Sequence, residues 1–124
     1  MPLEYFSAER CYVTELYNTP LDSAVSVAKI RVEPGVSTCW HRLTGISERY
    51  LLLSGQGLLE LGEHPPRLLL EGDHALIEPD QAQRITNTGA LDLEFLAICT
   101  PRFELAAYKD LEAPGESITS AAPQ

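Results

Sequence analysis

The sequence predicts an all-β domain, a sandwich or barrel of short strands, and a few observations carry that prediction. Apolar or alternating runs recur about every eight to twelve positions along most of the chain. Turn formers stand between them: Asn18-Thr19-Pro20, Glu33-Pro34-Gly35, Ser54-Gly55-Gln56-Gly57, Gly62-Glu63-His64-Pro65-Pro66, Gly72-Asp73, Pro79-Asp80 and Asn87-Thr88-Gly89. No run of helical period alternates with the strands, as a βαβ protein would require.

The predicted strands are Cys11–Leu16, Val25–Val32, Thr38–Leu43, Arg49–Leu53, Leu58–Leu61, Arg67–Leu70, His74–Ile77, Arg84–Thr86 and Leu93–Cys99. Only Arg102–Leu111, through Leu105-Ala106-Ala107 and its charges, predicts a short C-terminal helical segment. From Ala113 the composition turns to Pro, Gly, Ser, Thr and Ala, which predicts a disordered, flexible tail over 113–124 and a single domain over 1–112. In Tyr50-Leu51-Leu52-Leu53 and Leu68-Leu69-Leu70 neighbouring side chains must face opposite sides of a sheet. Their outward leucines predict cover from a second layer or a second subunit.

The chain has 124 residues, 44% of them hydrophobic, enough for one packed core. Lys and Arg number 9 against 18 Asp and Glu, a net charge of −9. That balance excludes the basic footprint of a nucleic-acid binder and a polybasic membrane-surface module. Met1-Pro2-Leu3-Glu4-Tyr5 lacks the basic and apolar regions of a secretory signal, and no apolar stretch nears the ~20 residues of a membrane helix. Cys11, Cys39 and Cys99 are odd in number, far apart and without a C-x-x-C pair. They read as reduced thiols in a cytoplasmic protein, Cys11 and Cys99 as small buried hydrophobes.

One pair of segments carries chemistry. Gly35 is followed after five residues by His41, then by Glu48, and after six more by Gly55. Gly72 is followed after five residues by Glu78-Pro79-Asp80, then by Gln83 and Asn87. These segments resemble the two motifs of the cupin superfamily, G-x5-H-x-H-x(3,4)-E-x6-G and G-x5-P-x-G-x2-H-x3-N, with the short spacing of its smallest single-domain members. The resemblance covers roughly residues 25–100. It implies a double-stranded β-helix, or jelly roll, with a site inside the barrel mouth.

The resemblance implies a metal held by three His and one Glu, and only part of that set transfers. His41 takes the first position and Glu48 the carboxylate; Leu43 stands at the second imidazole and Gln83 at the third. Asp80 stands where the family has Gly, and Glu78 where it has Pro. His41, Glu48 and Gln83, one nitrogen and two oxygens, would suit Mn²⁺, Fe²⁺, Ni²⁺ or Zn²⁺ at lower affinity than three imidazoles. The alternative is a hydrogen-bonded polar cluster that holds an organic ligand. Cys39 shares the parity of His41, and Tyr50 and Leu52 that of Glu48, so Cys39, Leu43, Tyr50 and Leu52 are candidate pocket-lining residues, Tyr50 as a hydroxyl donor. Trp40 has the opposite parity and is expected in packing. His64 falls in a hairpin connection, His74 at a strand start, Arg84 on the outer face, and Arg102 after the last long strand as an anchor.

Three functions follow as expectations. The first is a metal-dependent oxygenase, lyase or isomerase acting on a small molecule through His41, Glu48 and Gln83. The second is a non-catalytic small-molecule binding module with a metal-free site. The third is a metal-free enzyme with Glu48 or Cys39 as acid or base. A homodimer is expected in each case, with Leu51, Leu53 and one parity class of Leu68–Leu70 as the buried face.

Overall fold

A computed structural model describes residues 2–112, and the tail expected over 113–124 lies outside the described residues. The strands are β1 Glu4–Phe6, β2 Tyr12–Tyr17, β3 Ser26–Val32, β4 His41–Leu43, β5 Ser47–Ser54, β6 Gly57–Leu61, β7 Arg67–Leu69, β8 His74–Ile77, β9 Gln83–Asn87, β10 Leu93–Thr100 and β11 Tyr108–Asp110. They form a six-stranded sheet, β1-β2-β3-β10-β5-β8, facing a five-stranded sheet, β11-β4-β9-β6-β7, with every pairing antiparallel. This is the double-stranded β-helix.

Alternation fixes the inner face. Along β10 every second residue, Leu93, Phe95, Ala97 and Cys99, is buried, and β5 buries Glu48, Tyr50 and Leu52. The register stacks these side chains in layers. Ser26, Cys99 and Glu48 are cross-strand neighbours; then Ala28, Ala97 and Tyr50; then Ile30, Phe95 and Leu52; then Val32 and Leu93. The last layers merge with Leu59, Leu69, Ile77 and Ile85 into the main apolar core. Leu51 and Leu53 turn outward and stay partly exposed, as do Leu68 and Leu70, while Leu69 between them is fully buried.

The helical expectation for Arg102–Leu111 is corrected. The segment makes one 3₁₀ turn, Leu105–Ala107, and then β11, which pairs with β4 through Tyr108↔Leu43, Lys109↔Arg42 and Asp110↔His41. A short helix with Leu105 exposed would bury little, whereas pairing satisfies the open edge of β4. The sequence pattern also missed β1, a three-residue strand with no buried side chain.

The motif positions explain themselves as backbone. Gly55 has φ +83°, and a Cβ there would lie 2.6 Å from the carbonyl oxygen of Asp92. Asn87 is buried and donates through Nδ2 to the carbonyls of Val32 and Leu91, while its Oδ1 accepts from the Gly89 amide. It therefore ties β9 to the turn that leads into β10.

Candidate functional site

The layers differ in bulk, and that difference makes a pocket. At one end of the barrel the inward residues of β3 and β10 are Ser26, Ala28, Ala97 and Cys99, too small to meet across the interior. A cavity of about 140 Å³ remains there, floored by Ile30 and Phe95 and bounded by Phe103 and Tyr108. Its polar walls are His41, Glu48, Tyr50, Thr38 and, from the turn before β2, Glu9.

The structure brings His41 and Glu48 to the same cavity. His41 is 4% exposed and Glu48 7%, and both face the cavity. His41 Nδ1 lies 2.7 Å from the carbonyl oxygen of Cys39. A carbonyl only accepts, so Nδ1 carries a proton there, and among the described residues Nε2 has no partner. Its ring stacks on Tyr108 at 5.0 Å between centroids.

Gln83 is opposite His41 in the sheet register but is not part of the cavity wall. Tyr50 Oη donates to Gln83 Oε1 at 2.6 Å, and Gln83 Nε2 donates to Glu48 Oε1 at 2.9 Å. The amide is thus a relay between a phenol and a carboxylate. Burial pushes the Glu48 carboxyl above its ordinary range and Glu9 adds to that; His41 and the Gln83 amide pull against it. The Tyr50 hydroxyl is held well above its ordinary range by burial, so it stays protonated and donates.

The expected metal donors do not fit a resident transition metal in this arrangement. Leu43 has no donor atom and packs with Ile46 and Cys99. The one ligating atom of Gln83 is turned to Tyr50. Among the described residues no three His, Cys, Asp or Glu side chains are grouped closely enough to hold an ion.

Of the expected pocket-lining residues, Leu43 and Tyr50 reach the cavity. Leu52 lies one layer deeper in the core, a correction that follows from the taper of the barrel. Cys39 is corrected too: its Sγ is directed at the Ala8 carbonyl, 3.5 Å away, and burial pushes the thiol up to about 11. Cys11 is pushed up to about 12 by burial, so both thiols stay protonated near neutrality. His64 and His74 are exposed, and Arg84 lies over Trp40 on the outer face while pairing with Glu60. Arg102 donates to Asn18 Oδ1 at 2.8 Å and anchors the segment after β10.

Glu9 is the residue that sequence reasoning missed. It sits in the turn Ser7–Cys11, closed by the Ser7 amide on the Cys11 carbonyl at 2.8 Å and the Arg10 amide on the Ser7 carbonyl at 3.1 Å. Burial raises its carboxyl, with His41 acting in the opposite sense. No motif or periodicity marks this position; only the folding of β1–β2 across the mouth puts it there.

No family model matches the chain. Over 72 residues it is 35% identical to a curated Thermotoga maritima protein named oxalate-binding protein, a match spanning 57% of this chain and 58% of that protein. The chain therefore matches less than two thirds of that relative. Among solved structures, a T. maritima protein described as a predicted oxalate decarboxylase superposes with a TM-score of 0.67 at 26% identity, covering 82% of this chain and 92% of that one. A Klebsiella pneumoniae protein with a double-stranded β-helix domain gives 0.73 at 20% identity, covering 86% and 88%. Strand order and these likenesses agree on the fold: the chain is a double-stranded β-helix like these proteins, and two of the four metal-ligand positions of the cupin motif it resembles are replaced.

Proposed function

We propose that the chain binds a small organic molecule in the mouth of its barrel, through His41, Glu48 and Glu9, without a resident metal. One observation carries this reading: Gln83, at the third ligand position, has its oxygen on Tyr50 and its nitrogen on Glu48. It holds the carboxylate toward the cavity, with both of its own polar atoms engaged in hydrogen bonds. A mostly apolar cavity with a few convergent polar groups is the usual form of a small-molecule site. The oxalate in the relative's name is a dianion, and the cavity here has no Lys or Arg in its wall and Glu9, Glu15 and Glu48 to repel it.

The competing reading is a metal-dependent oxygenase, lyase or isomerase, with Mn, Fe, Ni or Zn on His41, Glu48 and Gln83. The free Nε2 of His41 beside a carboxylate favours it. Elemental analysis of protein purified without chelator, before and after dialysis against each metal, separates the two. The metal-free reading expects trace metal throughout. Near-stoichiometric metal that is lost in Glu48→Ala overturns it.

We propose further that two copies pair through the outer face of the six-stranded sheet. Leu51, Leu53 and Leu76 are exposed or at the edge of exposure there, and Leu96 lies opposite Leu51. That row continues to the open edge of β8. Sedimentation at micromolar concentration is expected to give a dimer for the wild type and a monomer for Leu51→Glu.

A further inference from the structure

The charge of the cavity wall says what class of molecule fits it. Three carboxylates, Glu9, Glu15 and Glu48, contribute to the wall, and no Lys or Arg does. Three cations close by in sequence are engaged elsewhere. Arg10 has φ +72° and donates through Nε to the Ser37 carbonyl at 2.9 Å and through Nη2 to Glu112. Arg49 donates to the Ser47 carbonyl and Thr100 hydroxyl, and Arg102 is held by Asn18 and Glu104.

A second, independent feature points at the same space. His41, nine-tenths buried and facing the cavity, has Nδ1 committed to the Cys39 carbonyl, and among the described residues Nε2 has no partner. Glu48 has Oε1 on Gln83, and among the described residues no donor reaches Oε2. The carboxylates of Glu48 and Glu9 offer acceptors, and no Lys or Arg of the wall supplies them with donors. Buried acceptors left without a donor are costly, so a donor-rich ligand gains there what an acceptor-rich one loses.

We infer that the ligand is a small organic cation with a primary ammonium group, its N–H donors directed to the carboxylates of the wall, Glu48 and Glu9, and its apolar part against Tyr50, Phe95 and Tyr108. An ammonium has three donors and no acceptor, which matches carboxylates that no Lys or Arg of the wall pairs. The aromatic rings around the mouth, Phe103 included, add faces that attract a cation. The net charge of −9 draws a cation toward the protein and discourages an anion.

The inference rests on the metal-free small-molecule reading and deepens it, so the test uses isosteric probes in metal-free buffer. n-Butylamine, 1-butanol and n-butyrate are titrated separately into ¹⁵N-labelled protein, following the amides of Ala28, Tyr50, Ala97 and Cys99. Butylammonium is expected to saturate these shifts at a concentration about tenfold or more below butanol, as charge-assisted hydrogen bonds provide. Glu9→Gln and Glu48→Gln, which keep side-chain size, are each expected to weaken the amine about tenfold and leave butanol within about twofold. Butyrate binding as tightly as the amine, or amine binding that neither variant moves, overturns the cation and leaves the small-molecule site standing. Cavity amides unmoved by all three probes overturn both readings together.

Discussion

The two ends of the barrel are built on the same strands and differ in what the inward positions carry. At the closed end Val32, Leu52, Leu93 and Phe95 meet Leu59, Leu69 and Ile85 and fill the space. At the mouth, a few residues along the same strands, Ser26, Ala28, Ala97 and Cys99 leave about 140 Å³, and His41, Glu48 and Glu9 face it. Stability is therefore concentrated at one end and chemistry at the other. The small residues of β3 and β10 are as much a part of the site as its charged ones. A site of this kind needs no special loop, because the taper of side-chain volume along ordinary strands opens it.

The sharpest test of that division is truncation. Leu59→Ala at the closed end is expected to lower stability by about 3 kcal/mol, since a buried leucine leaves a cavity that packed neighbours close only in part. Leu105→Ala at the mouth, where the leucine is largely exposed, is expected to cost less than about 0.5 kcal/mol. Urea midpoints measured on both variants check the contrast, and equal costs would abolish it.

Enlargement should divide the ends in the same way with a smaller effect. A methyl on Gly57 would lie 2.8 Å from Ile85 Cδ1 and from Leu93 Cδ2, so Gly57→Ala is expected to cost about 1–2 kcal/mol by overpacking. Ala97→Val points its added carbons into the cavity and is expected to change stability by less than about 0.5 kcal/mol. It should nevertheless remove the amide shifts that butylamine causes, because the space is taken. Thermal melts and the same titration decide both halves.

The fold was legible because each level of the sequence agreed on it: period-two runs, turn clusters at their ends, and glycines where the backbone turns left-handed. The strands missed or misread, β1 and β11, are three residues long, and pairing rather than composition makes them strands. Of the site, His41 and Glu48 were legible through the resemblance to the cupin motif. What Gln83 does was not, since an amide can ligate, donate or accept, and only the position of Tyr50 decides which. Glu9 was illegible for a plainer reason. Its place at the mouth comes from a turn whose anchors, Ser37, Thr38 and Glu112, are distant in sequence.

A smaller effect separates function from stability at the mouth itself. The Glu48 carboxyl is held above its ordinary value of 4.5 chiefly by burial, so the fold prefers its neutral form. Below pH 4.5 the group is protonated in both folded and unfolded chains and costs nothing. As pH rises through that value the unfolded chain ionises first, and stability falls until the raised folded value is passed. Glu48→Gln removes the ionisation, while its Oε1 can still accept from Gln83. The variant is expected to exceed the wild type by on the order of 1 kcal/mol at pH 7 and to lose that advantage toward pH 4. Denaturation across that range measures it, and a variant less stable at pH 7 would show the carboxylate to be paired within the protein.

The smallest expected effect concerns Asp80, which stands where the superfamily motif has glycine. Its φ is +67°, in the left-handed region, and it is exposed on the turn between β8 and β9. Its amide donates to the Leu43 carbonyl at 2.9 Å, so the turn also fixes the end of β4, next to the site. Aspartate tolerates this conformation better than most residues but still meets the Cβ clash that glycine avoids. Glycine, in turn, loses more chain entropy on folding, and the opposing terms nearly cancel. Asp80→Gly is therefore expected to raise stability by no more than about 0.5 kcal/mol, whereas Asp80→Ala, with the clash and without a short polar side chain, should cost about 1 kcal/mol. Neither substitution adds to or removes from the cavity wall, so butylamine binding should be unchanged in both. A loss of more than about 1 kcal/mol in Asp80→Gly would mean that the carboxylate itself, and not the turn, is what the position needs.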